Sequence, residues 1–134
     1  MSTVLVRAAL ETALAAISPS LATAWENVDF TPPATSTAYQ SVTVMFAQPD
    51  NTSYGAGYRE LGIMQVDLNY PQQSGPSAAY TRAELLRTTF RRGATFTSGA
   101  VSVVVDRTPD IMAGRNEGGR YVLPVRVRFF AQLF

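Results

Sequence analysis

Four apolar residues near the start of the chain, Val6, Leu10, Leu14 and Ile17, recur in steps of four, four and three. That spacing places them on one helical face and predicts a helix from about Thr3 to Ile17. Ser2 or Thr3 is positioned to cap its start, Ser18-Pro19-Ser20 stops it, and Arg7 and Glu11 lie four apart on the opposite face. The pattern then changes to period two. Val42, Val44 and Phe46 alternate in a strand from about Tyr39 to Ala47. Met64, Val66, Leu68 and Tyr70 alternate in a second, with Gln65, Asp67 and Asn69 on the other side, as in a sheet with one wet face. Leu61 and Ile63 are out of phase with that set, and Gly62 between them suggests a bulge.

A second helical pattern runs from about Ser77 to Arg92, with Ala79, Ala83, Leu86 and Phe90 as its buried stripe. Ser77 suits the N-cap, Arg91 and Arg92 the negative end of the helix dipole, and Gly93 the residue after the C-cap. Two more strands follow. Val101, Val103 and Val105 alternate in Ala100 to Arg107, and Leu123, Val125, Val127 and Phe129 in Arg120 to Phe130, with Arg126 and Arg128 facing away. Pro124 implies that the last strand begins late, bulges or lies at an edge.

Between these elements lie three connectors. Leu21 to Ala38 is irregular and rich in Pro, Thr and Ala; its Trp25 and Phe30 are expected to pack back onto the core. Gln48 to Tyr58 holds Pro49, Gly55 and Gly57, and Thr108 to Gly119 is long and charged. The order helix, two strands, helix, two strands predicts a single α+β domain over residues 1–134. It consists of a roughly four-stranded, mainly antiparallel sheet with both helices on one face.

Composition narrows the chemistry. The chain has no His, no Cys and no Lys; its 11 basic residues are all Arg, against 10 acidic ones. The usual proton shuttle, the thiol and amine nucleophiles and the main zinc ligands are therefore missing. A Ser or Thr nucleophile has no His or Lys to act as its base. A net charge of +1 creates no field that would draw nucleic acid or an anionic membrane. The N-terminal stretch is interrupted by Glu11 and has no basic residues ahead of its apolar run, so it reads as an amphipathic helix in a soluble protein, not as a signal peptide.

The remaining candidates are few. Gly55, Gly57 and Gly62 precede a strand where a phosphate loop requires a helix, so a hairpin tip is the better reading. Asp50, Glu60, Asp67, Asp106 and Asp110 would make a magnesium site only if the two long loops met; dispersed surface acids are the simpler account. Arg115, Arg120, Arg126 and Arg128 make a basic stripe, but Glu117, Asp110 and Asp106 beside them favour a subunit interface of mixed charge over a phosphate contact. No cofactor is expected. Of the tail FFAQLF, Phe129 belongs to the core stripe, and Phe130, Leu133 and Phe134 pack either on the same subunit or on a neighbour.

The N-terminal helix, the AWEN segment (Ala24 to Asn27), Phe30 with Pro32-Pro33, the strand Val42 to Phe46, GIMQVDLNYP (Gly62 to Pro71), the helix near Leu85 and RYVLPVRVRF (Arg120 to Phe129) occur in an order that resembles tail terminator proteins of tailed phages, of the lambda minor tail protein U type. The resemblance covers nearly the whole chain and implies a structural protein without catalytic or metal sites. It implies a homo-oligomeric ring, typically of six subunits, seated on the tail tube. The ring halts tube growth and provides the surface for head attachment. The implied partners are the tail tube protein and a head-completion or neck protein, with no membrane and no sequence-specific nucleic acid. The implied location is the virion tail, and the host cytoplasm during assembly. Arg115, Glu117, Arg126 and Arg128 are the expected subunit or tube contacts. Other neck proteins, a small carboxylate-metal enzyme and a nucleic-acid-binding module are the competing readings.

Overall fold

The structure, a computed structural model, describes the chain except residues 1, 19, 35, 52–54, 56, 74 and 134 and the side chains of residues 2, 132 and 133. Two helices, α1 (Ser2–Ala15) and α2 (Ser77–Thr89), accompany eight strands. These are β1 (Ala22–Ala24), β2 (Tyr39–Phe46), β3 (Tyr58–Pro71), β4 (Thr95–Ser98), β5 (Val101–Val105), β6 (Asp110–Ile111), β7 (Arg115–Glu117) and β8 (Arg120–Leu133). They form one sheet in the order β1-β2-β3-β8-β5-β4, with β6 and β7 also paired to β8. All pairings are antiparallel except the parallel β1–β2 contact.

This corrects the expected four-stranded α-β-β-α-β-β arrangement. Of the described residues 43% are strand and 21% helix, and the sheet curls into a half-barrel. The additional strands carry no periodic apolar signal. β1 (ATA) and β4 (TFTS) are short and small or polar, while β6 (DI) and β7 (RNE) fall in the charged segment read as a loop. Their existence follows from β8. Fourteen residues long, it pairs along its whole length with β3, and its other edge needs partners too. The chain from Val101 to Glu117 runs back along that edge as an interrupted strand, supplying β5, β6 and β7 in turn. Gly118 and Gly119, with φ of +58° and +77°, make the two-residue turn that joins β7 to β8.

The period-two pattern determines the inner face. Val42, Val66 and Val125 lie side by side across three strands, and Val44, Met64 and Val127 form the next row. All six are buried, as are Val101, Val103, Val105 and Phe129. The helices close this face. Val6, Leu10, Leu14 and Ile17 of the first helical stripe and Ala79, Ala83, Leu86 and Phe90 of the second join the same core cluster. α1 lies against β4 and β5, and α2 against β3 and β8.

Several local expectations are revised. β3 runs unbroken through Gly62, which pairs with both Phe46 and Phe129, so there is no bulge at this position. The glycine is there for space, since an added Cβ would lie 2.7 Å from the Phe129 ring and 2.5 Å from the Met45 carbonyl oxygen. Leu61 and Ile63 simply face outward. Pro124 sits inside a central strand. Its carbonyl accepts a hydrogen bond from Met112 at 2.9 Å, so the side lacking an N–H faces the break between β6 and β7. Ser77 is the first helical residue of α2; Pro76 holds the N-cap position without a side-chain hydrogen bond. α2 ends at Thr89, before Arg91 and Arg92, and Gly93 adopts φ +86° beyond it. The stop expected at Pro19 and the cap expected at Ser2 lie outside the described residues and side chains.

Candidate assembly surface

The outer face of the sheet carries the out-of-phase residues, and their burial divides it into three zones. At the start of β8, the chain covers its own sheet. Arg120 is an outward position by parity yet is buried, because the chain at Pro33, Ala34 and Thr37 folds over it. Its guanidinium donates to the carbonyls of Thr37 at 2.7 Å, Pro33 at 2.5 Å and Ala34 at 3.0 Å, and lies 4.7 Å from the centre of the Tyr39 ring. Tyr39 in turn meets Phe30 at 5.3 Å. Phe30 therefore packs on this outer cover, whereas Trp25 packs on the core as expected.

The middle zone is polar. Arg126 donates to Gln65 at 2.9 Å, and Gln65 donates to Asp67 at 3.0 Å. Arg128 is ion-paired with Asp110 of β6. Both arginines are half-buried on neighbouring outward positions of β8. The third zone is apolar: Met45 and Ile63 make one row, and Leu61, Phe130 and Val104 the next. Arg59 lies 4.9 Å over the Phe130 ring.

Of the four expected contact residues, the structure brings Arg126 and Arg128 together and sets the other two apart. Arg115 and Glu117 are exposed near the tip of the β7–β8 hairpin and bond each other at 2.6 Å. The hydrogen bond and charge of Glu117 raise the pKa of the Arg115 guanidinium further. Arg120, read as part of the same basic stripe, is instead a structural clamp. No periodicity signals that difference, since it depends on a segment more than 80 residues distant in the chain.

A second polar tie closes the opposite flank. The Glu26 carboxylate accepts from the Val44 N–H at 2.9 Å and from Arg7 at 2.9 Å, and Arg7 also reaches Glu11 at 3.5 Å. The Val44 N–H foremost, and then Arg7, hold the Glu26 carboxyl below the ordinary glutamate value. Under α2, Tyr80 and Tyr121 share a hydrogen bond, while burial pushes the Tyr121 phenol upward. Arg82 is buried beside Tyr70; burial lowers its pKa and the nearby Tyr70 opposes the shift.

The carboxylates considered for catalysis are dispersed. Asp67 faces outward in mid-strand, Glu60 inward near the start of β3, and Asp110 pairs with Arg128. Among the described residues no three potential ligands gather to hold a metal. An open cleft of about 380 Å³ beside α2 is lined by Leu21, Tyr70, Arg82 and Leu85, with Thr81, Glu84 and Thr88 of the same helix. Among the described residues no helix is long and apolar enough to cross a membrane. Of the phosphate-loop candidates, Gly62 is a strand position and Gly55 and Gly57 precede the same strand, β3, where such a loop requires a helix.

The domain is a half-barrel sheet closed by helices on one face and carrying charge and apolar rows on the other. Residues 5–129 match the family described as phage tail terminator protein, and the chain belongs to that family of structural proteins. A solved structure that carries no functional name superposes with a TM-score of 0.78 at 28% sequence identity, covering 100% of this chain and 98% of its own. No curated protein sequence matches the chain. Family membership establishes a structural role in phage tail assembly.

Proposed function

We propose that this protein caps the phage tail tube as a ring, stops tube polymerisation and presents the surface to which the head attaches. The match to the tail terminator family across residues 5–129 carries this reading. The outer face supports it, since charge and apolar rows lie there side by side. Such mixed surfaces set register and partner choice in an interface. A closed ring uses a heterologous contact, one patch of each subunit against a different patch of the next. We propose six subunits per ring, with the tube protein on one side and a head-completion or neck protein on the other. The protein would then reside in the virion tail after assembly in the host cytoplasm. Arg126 and Arg128 on the sheet, and Arg115 and Glu117 at the hairpin tip, are the proposed subunit or tube contacts.

The test is tail length. A phage deleted for this gene should make tubes of abnormal length that do not join heads. Adding the purified protein to a tube-assembly extract should restore a single length and infectious particles. Uniform tubes in the deletion strain would overturn the capping role.

A further inference from the structure

Charge is balanced over most of this chain. Arg59 lies opposite Asp50, and Arg126 reaches Asp67 through Gln65. Arg87 is paired with Glu84, Arg115 with Glu117 and Arg128 with Asp110. Arg82, Arg120 and Glu60 are buried. The remaining charges fall into two surface patches of opposite sign.

The first is the corner where the chain leaves α2 and β5. The Gly93 N–H donates to the Val105 carbonyl at 2.8 Å, and the Arg92 Nε donates to the Asp106 carbonyl at 3.2 Å. These bonds bring Arg91, Arg92 and Arg107, all exposed, to one corner. Arg92 and Arg107 line an open cleft of about 470 Å³ with Asp106, Thr108 and Asp110. Asp110 is taken by Arg128, so the corner sets three arginines against Asp106 alone.

The second patch is a groove of about 490 Å³ between α1 and residues 25–28, lined also by Trp25. Glu11 and Glu26 share a single arginine there, Arg7, at 3.5 and 2.9 Å. The Val44 N–H and Arg7 hold the Glu26 carboxyl below its ordinary value and so keep it charged. With the adjoining Asp29, which is exposed, the groove sets three carboxylates against one arginine. α1 stands between the patches. Its Ala13, Ala16 and Ile17 face Leu85 and Thr89 of α2, while its Arg7, Glu11 and Ala15 face the groove.

We infer that the groove between α1 and residues 25–28 of one copy receives the Arg91, Arg92 and Arg107 corner of a second copy. The inference rests on the ring reading above and identifies its subunit contact. An excess of two positive charges meets an excess of two negative ones, the complementarity that sets register and partner choice. Arginine also suits the groove in kind, because its planar guanidinium bonds carboxylates in parallel pairs and stacks on an indole. Both halves are different surfaces of one chain, as a heterologous contact requires, and this selects a second copy over the tube protein as the occupant.

The chain has no cysteine, so single thiols report without background. Thr108→Cys at the corner and Val28→Cys at the groove, both at exposed positions, are prepared separately and their melting temperatures compared with wild type. They are then mixed on tube ends in an extract lacking the native protein and joined with a short bismaleimide, which tolerates geometries a disulfide does not. The expected result is a dimer that forms at least about tenfold more in the mixture than with either variant alone. That ratio corresponds to about 1.4 kcal/mol of preference. Adding Arg91→Glu and Arg107→Glu to the corner variant inverts its sign and should remove the dimer. Adding Glu11→Arg and Asp29→Arg to the groove variant as well should restore it. Dimers that ignore these reversals, or that form equally from one variant alone, would overturn the inference. So would cross-linking of either thiol to the tube protein, or an absence of dimers while the mixture still limits tail length. If the wild-type chain fails to limit tail length, the ring reading itself falls, and this inference with it.

Discussion

Arg120 shows how far a single side chain can depart from its sequence context. It lies in a run with Arg126 and Arg128 and has the same outward parity, yet it is buried with three carbonyl acceptors. Hydrogen bonds from a charged donor are the stronger class, and Lys cannot reproduce the planar fork. Arg120→Ala should lower stability by about 2–3 kcal/mol in denaturant titrations. It should also speed amide exchange in residues 30–38 above all, and Arg120→Lys should recover little. Gly62 is a second such position. Gly62→Ala places a methyl group against the Met45 carbonyl and the Phe129 ring, and overpacking of this kind costs about 1–3 kcal/mol. Gly114→Ala places a methyl group against the hydroxyl and ring of Tyr121, which packs on the core, so thermal unfolding should show a loss of stability there too.

At the level of elements, polar ties hold the secondary structure in place. Glu26 joins α1 to the exposed edge of β2 through Arg7 and the Val44 N–H. Its folded-state pKa is depressed, so its contribution is complete above the ordinary glutamate range and fades as pH falls through the lowered folded value. Melting temperature followed through that acid range should fall less steeply in Glu26→Gln than in wild type. At neutral pH the variant should start lower, because the charge-assisted bonds are gone. Pro124 supplies the complementary test in β8. Its missing N–H faces the break between β6 and β7 and removes no ladder bond, so Pro124→Ala should shift stability by less than about 1 kcal/mol in denaturant titration. Val66→Pro, within the central β3, should prevent folding.

Across the whole molecule, the fold rests on the inner face of one sheet and the proposed contacts of Arg126 and Arg128 on the outer, so the two should separate under mutation. The Arg128–Asp110 pair is 39% and 54% exposed, and surface pairs contribute about 0–1 kcal/mol. Reversing charge at Arg126 and Arg128 should therefore leave the melting temperature within a few degrees of wild type while abolishing single-length tails in complementation. A folded variant that still terminates tails would remove these residues from the assembly surface. Arg115 and Glu117 compensate each other at the hairpin tip, so exchanging the two should preserve the fold as well.

The sequence alone determined the periodic parts of this protein: both helical stripes, the inward rows of β2, β3, β5 and β8, and the outward placement of Arg126 and Arg128. Those rest on local geometry, where a period of 3.6 or 2 writes burial directly into the order of residues. Its lack of His, Cys and Lys pointed away from catalysis, and the order of its segments pointed to the family. The tertiary structure alone decided the rest. Four short strands exist because the edges of long neighbours require partners, a demand that leaves no trace in ATA, TFTS, DI or RNE. One arginine of the basic stripe became a clamp, while three became surface groups. The difference lay in which distant segment folded over each, and contacts between residues far apart in the chain have no local period.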